Sequence, residues 1–225
     1  MSENKHFIAG AATARDLAKW LRISRNNVAE LVGAKFGMVP PGRKYPWHGV
    51  LAHVLGIAAH GAELAALIDA PLMTLAEVAA ESGLEPEELK VRIESGSNKM
   101  PPMYVFGERC RRFVRPQVLD VLRTGTWRSY ASISGHAAPL VAFAEELGIP
   151  ATRLHTLLEE QEIAEPVHVI EAGEKRYIRA HALTLFSHLE TPEAVTPATQ
   201  GDVVATPPAQ GLFAHVLAGV QAGAQ

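Results

Sequence analysis

EVAAESGLEPEELKVRI, residues 77–93, decides the fold, because DLAKWLRISRNNVAELV (16–32) and AFAEELGIPATRLHTLL (142–158) repeat its pattern without a gap. A small residue is followed by an aliphatic one after five positions, by another after five more, and by a last after four. The three sets are Ala18, Ile23, Val28 and Val32; Ala79, Leu84, Leu89 and Ile93; and Ala144, Ile149, Leu154 and Leu158. The copies are offset by 79 − 18 = 61 and 144 − 79 = 65 residues. This spacing predicts a short helix, a tight turn and a second helix. Gly83 and Gly148 stand where the first helix reverses and can take left-handed backbone without a Cβ penalty. Ser24, Glu85-Pro86 and Pro150-Ala151-Thr152 supply start signals for the second helix. The first copy carries Arg22 where the others have glycine.

The segment after each helix pair repeats too. MVPPGRKYPW (38–47), PPMYVFGERCRRFV (101–114) and EPVHVIEAGEKRYIR (165–179) each hold proline, a short extended run, a glycine followed by basic residues, and an aromatic. A hairpin with a basic tip is expected, packed back by Tyr45 or Trp47, Phe113 and Tyr177. A third helical pattern then closes each copy: Val50, Leu51, Val54 and Leu55; Val118, Leu119, Val121 and Leu122; Leu183, Leu185, Phe186 and Leu189. The expected fold is mainly α with short β-hairpin wings, as three tandem winged helix-turn-helix modules and a flexible C-terminal tail. The boundaries are an arm at 1–12, modules at 13–57, 71–123 and 138–190, a helical connector at 58–70 and a linker at 124–137. A Pro/Thr/Gln-rich disordered linker at 191–210 and a short apolar segment at 211–225 complete the chain.

LAEVAAESGLEPEELKVRIESG, followed by PPMYVFGERCRRFVRPQVLDVL, resembles the excisionase-like and MerR-like winged-helix DNA-binding family. The shared order is small residue, turn, second helix, proline, glycine-basic wing, aromatic and closing helix. The third copy matches almost as well and the first is the most divergent; together they span roughly two-thirds of the chain. The resemblance implies that the second helix enters the major groove and that the wing contacts the backbone or minor groove. Double-stranded DNA is the partner so implied.

The candidate DNA contacts are chosen by residue type. Arg109, Arg111 and Arg112 are expected at a wing tip and Arg115 at its base, where guanidinium groups suit phosphate oxygens. Arg43 and Lys44, and Lys175, Arg176 and Arg179, repeat the feature in the other wings. The first module's second helix offers Arg25, Asn26, Asn27 and Lys35, the side chains shaped for guanine and adenine edges. The third offers Thr152, Arg153 and His155. The second opens with Glu85, Glu87 and Glu88, leaving Lys90 and Arg92 as its basic members. In GLFAHVLAGV, Leu212, Phe213, Val216 and Leu217 have helical spacing suited to a protein partner or self-association.

Composition limits the alternatives. The 225 residues carry 21 Lys+Arg and 24 Asp+Glu, a net charge of −3, so attraction to nucleic acid must come from local patches. A single cysteine, Cys110, precludes an internal disulfide framework and fits a reducing cytoplasm, which is the expected location. Its place among arginines also raises a redox-sensor reading, against a plain wing residue. No signal peptide or membrane span is expected. His48 and His53 are five apart and His53 and His60 seven, spacings that do not chelate one ion on a helix, so no metal or other cofactor is expected. No catalytic signature is present, and the chain is read as a non-enzyme. Sequence-specific DNA binding, as a transcriptional regulator or excisionase-like architectural factor, is the expected function. Two other readings stay open: a phage or plasmid packaging accessory of small-terminase type, and a protein-interaction scaffold whose winged helices no longer bind DNA.

Overall fold

In the computed structural model, which describes residues 10–33, 44–97, 99–107, 110–126 and 136–189, each repeat opens on a short strand before its two helices. The first repeat holds β1 (Ala11–Thr13), α1 (Ala14–Leu21), α2 (Arg25–Val32), β2 (Lys44–Pro46) and α3 (Trp47–Val50). A π-helical turn over Leu51–Leu55 then leads to α4 (Gly61–Ile68). The second holds β3 (Met73–Thr74), α5 (Leu75–Ser82), α6 (Pro86–Glu94), β4 (Met103–Val105), β5 (Arg111–Phe113) and α7 (Arg115–Thr124). The third repeats that order as β6 (Ala137–Ala138), α8 (Leu140–Leu147), α9 (Ala151–Glu159), β7 (His168–Glu171), β8 (Glu174–Ile178) and α10 (Arg179–Phe186).

Local chemistry sets the helix ends. Thr13 and Thr74 accept from the N–H of Asp16 and Glu77, whose carboxylates accept in return from the threonine N–H groups. Each such cap contributes about 1 kcal/mol. Arg22, Gly83 and Gly148 all turn the chain in left-handed backbone, at φ 55°, 68° and 65°. Arg22 therefore makes the glycine's turn despite a Cβ penalty of roughly 1–2 kcal/mol. Its side chain pairs with Glu77 and its carbonyl accepts from Arg112, which fixes it there.

The strands do not stay as separate wings. β1 pairs with β2, and the other six form one antiparallel sheet in the order β3-β5-β4-β7-β8-β6. Where the second and third repeats meet, Met103 faces Ile170, Tyr104 faces Val169 and Val105 faces His168. Since 169 − 104 = 65, Tyr104 faces its own counterpart, and the junction is two-fold in its register. Beyond the hairpins the offset falls by one: Tyr104 also faces Arg112 and Val169 faces Arg176, and 176 − 112 = 64. The second repeat's hairpin is thus one residue longer.

Both faces of this sheet are covered. On one, Met103, Val105, Phe113 and Ile170 pack with Val78, Leu89 and Ile93 of α5 and α6, while Tyr177 packs with Phe143, Leu154 and Phe186. On the other, Tyr104, Val114, Val169 and Ile178 share a core with Leu17, Trp20, Val28, Trp47 and Leu51 of the first repeat. The Trp20 and Trp47 rings meet edge to face at 5.2 Å. Polar ties fix the seat: Leu72 N–H donates to the Trp20 carbonyl at 2.8 Å, and His181 Nε2–H to the Leu31 carbonyl at 3.1 Å.

The architecture is therefore mixed α and β, with strand pairing more extensive than the isolated hairpin wings expected from the sequence. The arm assigned to residues 1–12 gives its last residues to β1. The connector at 58–70 holds α4, set off from the preceding π turn by Gly56 in left-handed backbone. On α7, Leu119 and Leu122 are 46% and 42% exposed; the helix instead buries Gln117, Val118 and Val121, the first bonded to the Tyr104 hydroxyl. Most of the linker at 124–137, and the whole of 191–225, lie outside the described residues. Among the described residues no helix is long and apolar enough to cross a membrane.

Joining β4 to β7 presses the β7–β8 turn against the loop after α6. A Cβ on Gly173, at φ 81°, would stand 2.6 Å from the Gly96 Cα, whereas one on Gly83, at φ 68°, would meet open space. Gly173→Ala is expected to lower the unfolding free energy by roughly 3–4 kcal/mol and Gly83→Ala by about 1–2 kcal/mol in urea titrations. Equal losses would contradict the close approach.

Candidate nucleic-acid interface

The first turn of α2 is capped by a side chain and open to solvent. Ser24 caps it, accepting from the Asn27 N–H at 3.3 Å and donating to Asn27 Oδ1 at 2.6 Å. That leaves the Asn27 NH2 as its outward donor. Arg25, Asn26 and Asn27 are exposed, no acid occupies this turn, and Val28 and Val32 anchor the helix from below. Lys44 is exposed at the start of β2, while Lys35 and Arg43 lie outside the described residues.

The equivalent turns differ in charge. Offsets of 61 and 65 put Pro86, Glu87 and Glu88 in one and Ala151, Thr152 and Arg153 in the other. On α6 the Arg92 guanidinium is taken up by Glu88 at 2.6 Å, and Lys90 is half-buried. On α9 Thr152, Arg153 and His155 are exposed, but His155 Nδ1 lies 3.1 Å from Glu159, and the exposed acids Glu160, Glu162 and Glu165 come next in the chain. Phosphate would meet repulsion along both helices.

The wing cations are largely engaged within the protein. Arg109 lies outside the described residues. Arg111 and Arg112 do not sit exposed at a tip, as expected, but part-buried in β5, where the strand's two-residue period sends them to opposite faces. Arg112 reaches the first repeat, donating to the Leu21 carbonyl at 3.0 Å and to that of Arg22. Its counterpart Arg176 donates to the Ala137 carbonyl at 3.3 Å and lies 3.8 Å from Glu171. Lys175 pairs with Glu165 at 2.7 Å, and Arg179 with Glu146 at 2.6 Å while lying over the Phe143 ring. Arg115 is exposed at the head of α7. Leu212, Phe213, Val216 and Leu217 lie outside the described residues.

No family model, curated protein or solved structure matches the chain.

The sheet also gathers residues that sequence spacing did not connect. Arg111 and Lys175, from different wings, line one pocket with His168. His168 is 4% exposed, and its Nδ1–H donates to the Pro166 carbonyl at 3.1 Å. Burial holds its pKa below the ordinary imidazole value, opposed by Glu165 and the Pro166 carbonyl and reinforced by Lys175 and Arg111. A histidine set inside the apolar run VHVI was the available signal. Burial likewise pushes the Cys110 thiol up, with Arg112 pulling the other way, so no activated thiolate arises there. His53 Nδ1 is 2.9 Å from the Gly49 carbonyl, and no three His, Cys, Asp or Glu side chains among the described residues are arranged to hold a metal.

These placements can be tested in two ways. Arg112→Ala should cost about 1.5–3 kcal/mol in chemical denaturation, as expected for charged hydrogen bonds, while Arg25→Ala should stay within ~0.5 kcal/mol. For His168, the unfolded chain takes up a proton below about pH 6.5 that the folded chain resists, so stability should fall as pH drops from ~7 towards ~5. His168→Gln should flatten that slope, and an unchanged slope would rule out this contribution.

Proposed function

We propose that the chain is a sequence-specific double-stranded DNA-binding protein, a transcriptional regulator or architectural factor, that reads bases with α2. On this reading each repeat is a winged helix-turn-helix module of the excisionase-like and MerR-like kind. The observation that carries it is the exposed, acid-free first turn of α2 with Arg25, Asn26 and Asn27 side by side. Arg matches guanine O6 and N7, Asn matches adenine N6 and N7, and a helix fits the major groove. A net charge of −3 keeps indiscriminate adhesion to DNA low.

One observation favours a second reading for the rest of the molecule. Pairing of β4 with β7 uses the edges of both wings, and Glu87 and Glu88 fill the base-reading positions of α6. The second and third repeats then serve as a protein-interaction scaffold that carries the reading module.

Duplex selected from a random library, measured by fluorescence anisotropy, tests both. With ~3 phosphates engaged by one module, log affinity should fall with log salt at a slope of about −3. Asn26→Ala should cost roughly 1–3 kcal/mol on the preferred duplex and relax preference at one or two base pairs. Thr152→Ala and Lys90→Ala should bind as the parent chain does. If no duplex binds even at low salt, the DNA reading fails and the scaffold reading stands alone.

A further inference from the structure

The row of side chains across the β4–β7 junction has a chemistry that DNA binding leaves unused. Cross-strand pairing places Arg111 beside Val105, Val105 beside His168, Met103 beside Ile170 and Ile170 beside Lys175. These residues line a pocket of about 350 Å³ together with Glu94, Glu165 and Gly173. The floor of Met103, Val105 and Ile170 is apolar. Lys175 is already neutralised by Glu165. Arg111 is not: it makes no ion pair with a described carboxylate, and its Nε is buried without an acceptor. Its Nη groups, which carry the rest of the charge on the pocket's lining, have no carboxylate partner among the described residues and are the donors open to an anion. His168 is buried to 4% exposure, and with Nδ1–H committed to Pro166, its Nε2 makes no hydrogen bond among the described residues.

We infer that this pocket binds a small organic carboxylate with a compact apolar body. The carboxylate meets Arg111 in the two-pronged geometry that guanidinium favours. The apolar body lies on Met103, Val105 and Ile170, and Nε2 of His168 accepts from a hydroxyl or other donor on the ligand. The volume suits a ligand of roughly ten heavy atoms and falls within the usual range of small-molecule sites. Because strands of two repeats form the floor, occupancy ties the second and third repeats together. The site stands independently of the DNA reading, since nothing in it belongs to α2.

The test uses the full chain without DNA, titrated by calorimetry with benzoate, benzamidine and inorganic phosphate. Benzoate is expected to bind, phosphate at least tenfold more weakly for want of an apolar body, and benzamidine not at all. Arg111→Gln should weaken benzoate at least tenfold. Lys175→Gln, at an exposed position, should weaken it several-fold by leaving Glu165 in the site without its cation. Lys19→Gln, on α1, should leave it unchanged. Benzamidine binding in place of benzoate would show that Glu94 and Glu165 dominate, and would overturn the inference. So would phosphate binding as tightly as benzoate, absence of benzoate binding, or undiminished binding in both pocket variants.

Discussion

Three residue pairs between β4 and β7 hold the rest of the fold in place. Without them each hairpin would present an unpaired edge of N–H and C=O groups, a standing invitation to association with other chains. With them, two sets of three strands become one sheet, and that sheet has two broad faces to cover. The helix pairs of the second and third repeats cover one. The other is too apolar, with Tyr104, Val114, Val169 and Ile178 on it, to stand in water, and the first repeat's Leu17, Trp20 and Trp47 close it. The carbonyls that end α1 then lie where Arg112 can reach them.

Local features were legible in the sequence. Apolar spacing marks the helix pairs, since it needs only neighbours three to five residues away, and the left-handed positions fall where the repeat puts them, Arg22 included. The β4–β7 pairing is not legible by that route. Its partners are 65 residues apart, and each hairpin is complete by local rules. A signal is present nonetheless: every residue of Met103–Val105 and of His168–Glu171 is buried, and MYVF and VHVI lack the alternation of a strand with one wet face.

The same contrast separates the candidate sites. The α2 face is visible because Arg25, Asn26 and Asn27 are adjacent and their cap is three residues long. The basic wing is only half visible. Arg111 and Arg112 form one cluster only while the strand period is ignored, and that period sends one into a pocket and the other into the first repeat. Arg111 and Lys175 become neighbours of one cavity through tertiary pairing alone.

The two-fold register at the junction has a consequence for how the molecule divides its labour. In a dimer of identical chains every substitution appears twice, and a symmetric sheet would offer two equal seats to any body resting on its axis. Here the halves are tethered in one chain and differ in what their matched residues bond. Gln117 and His181 occupy matched buried positions (181 − 117 = 64), yet the first bonds to Tyr104 within its own repeat and the second to Leu31 of another. Arg112 and Arg176 are matched in the same way, and only Arg112 holds the end of α1. Covalent linkage has turned a degenerate pair of seats into a single address, so one copy of the first repeat suffices, and it has one orientation in which to rest.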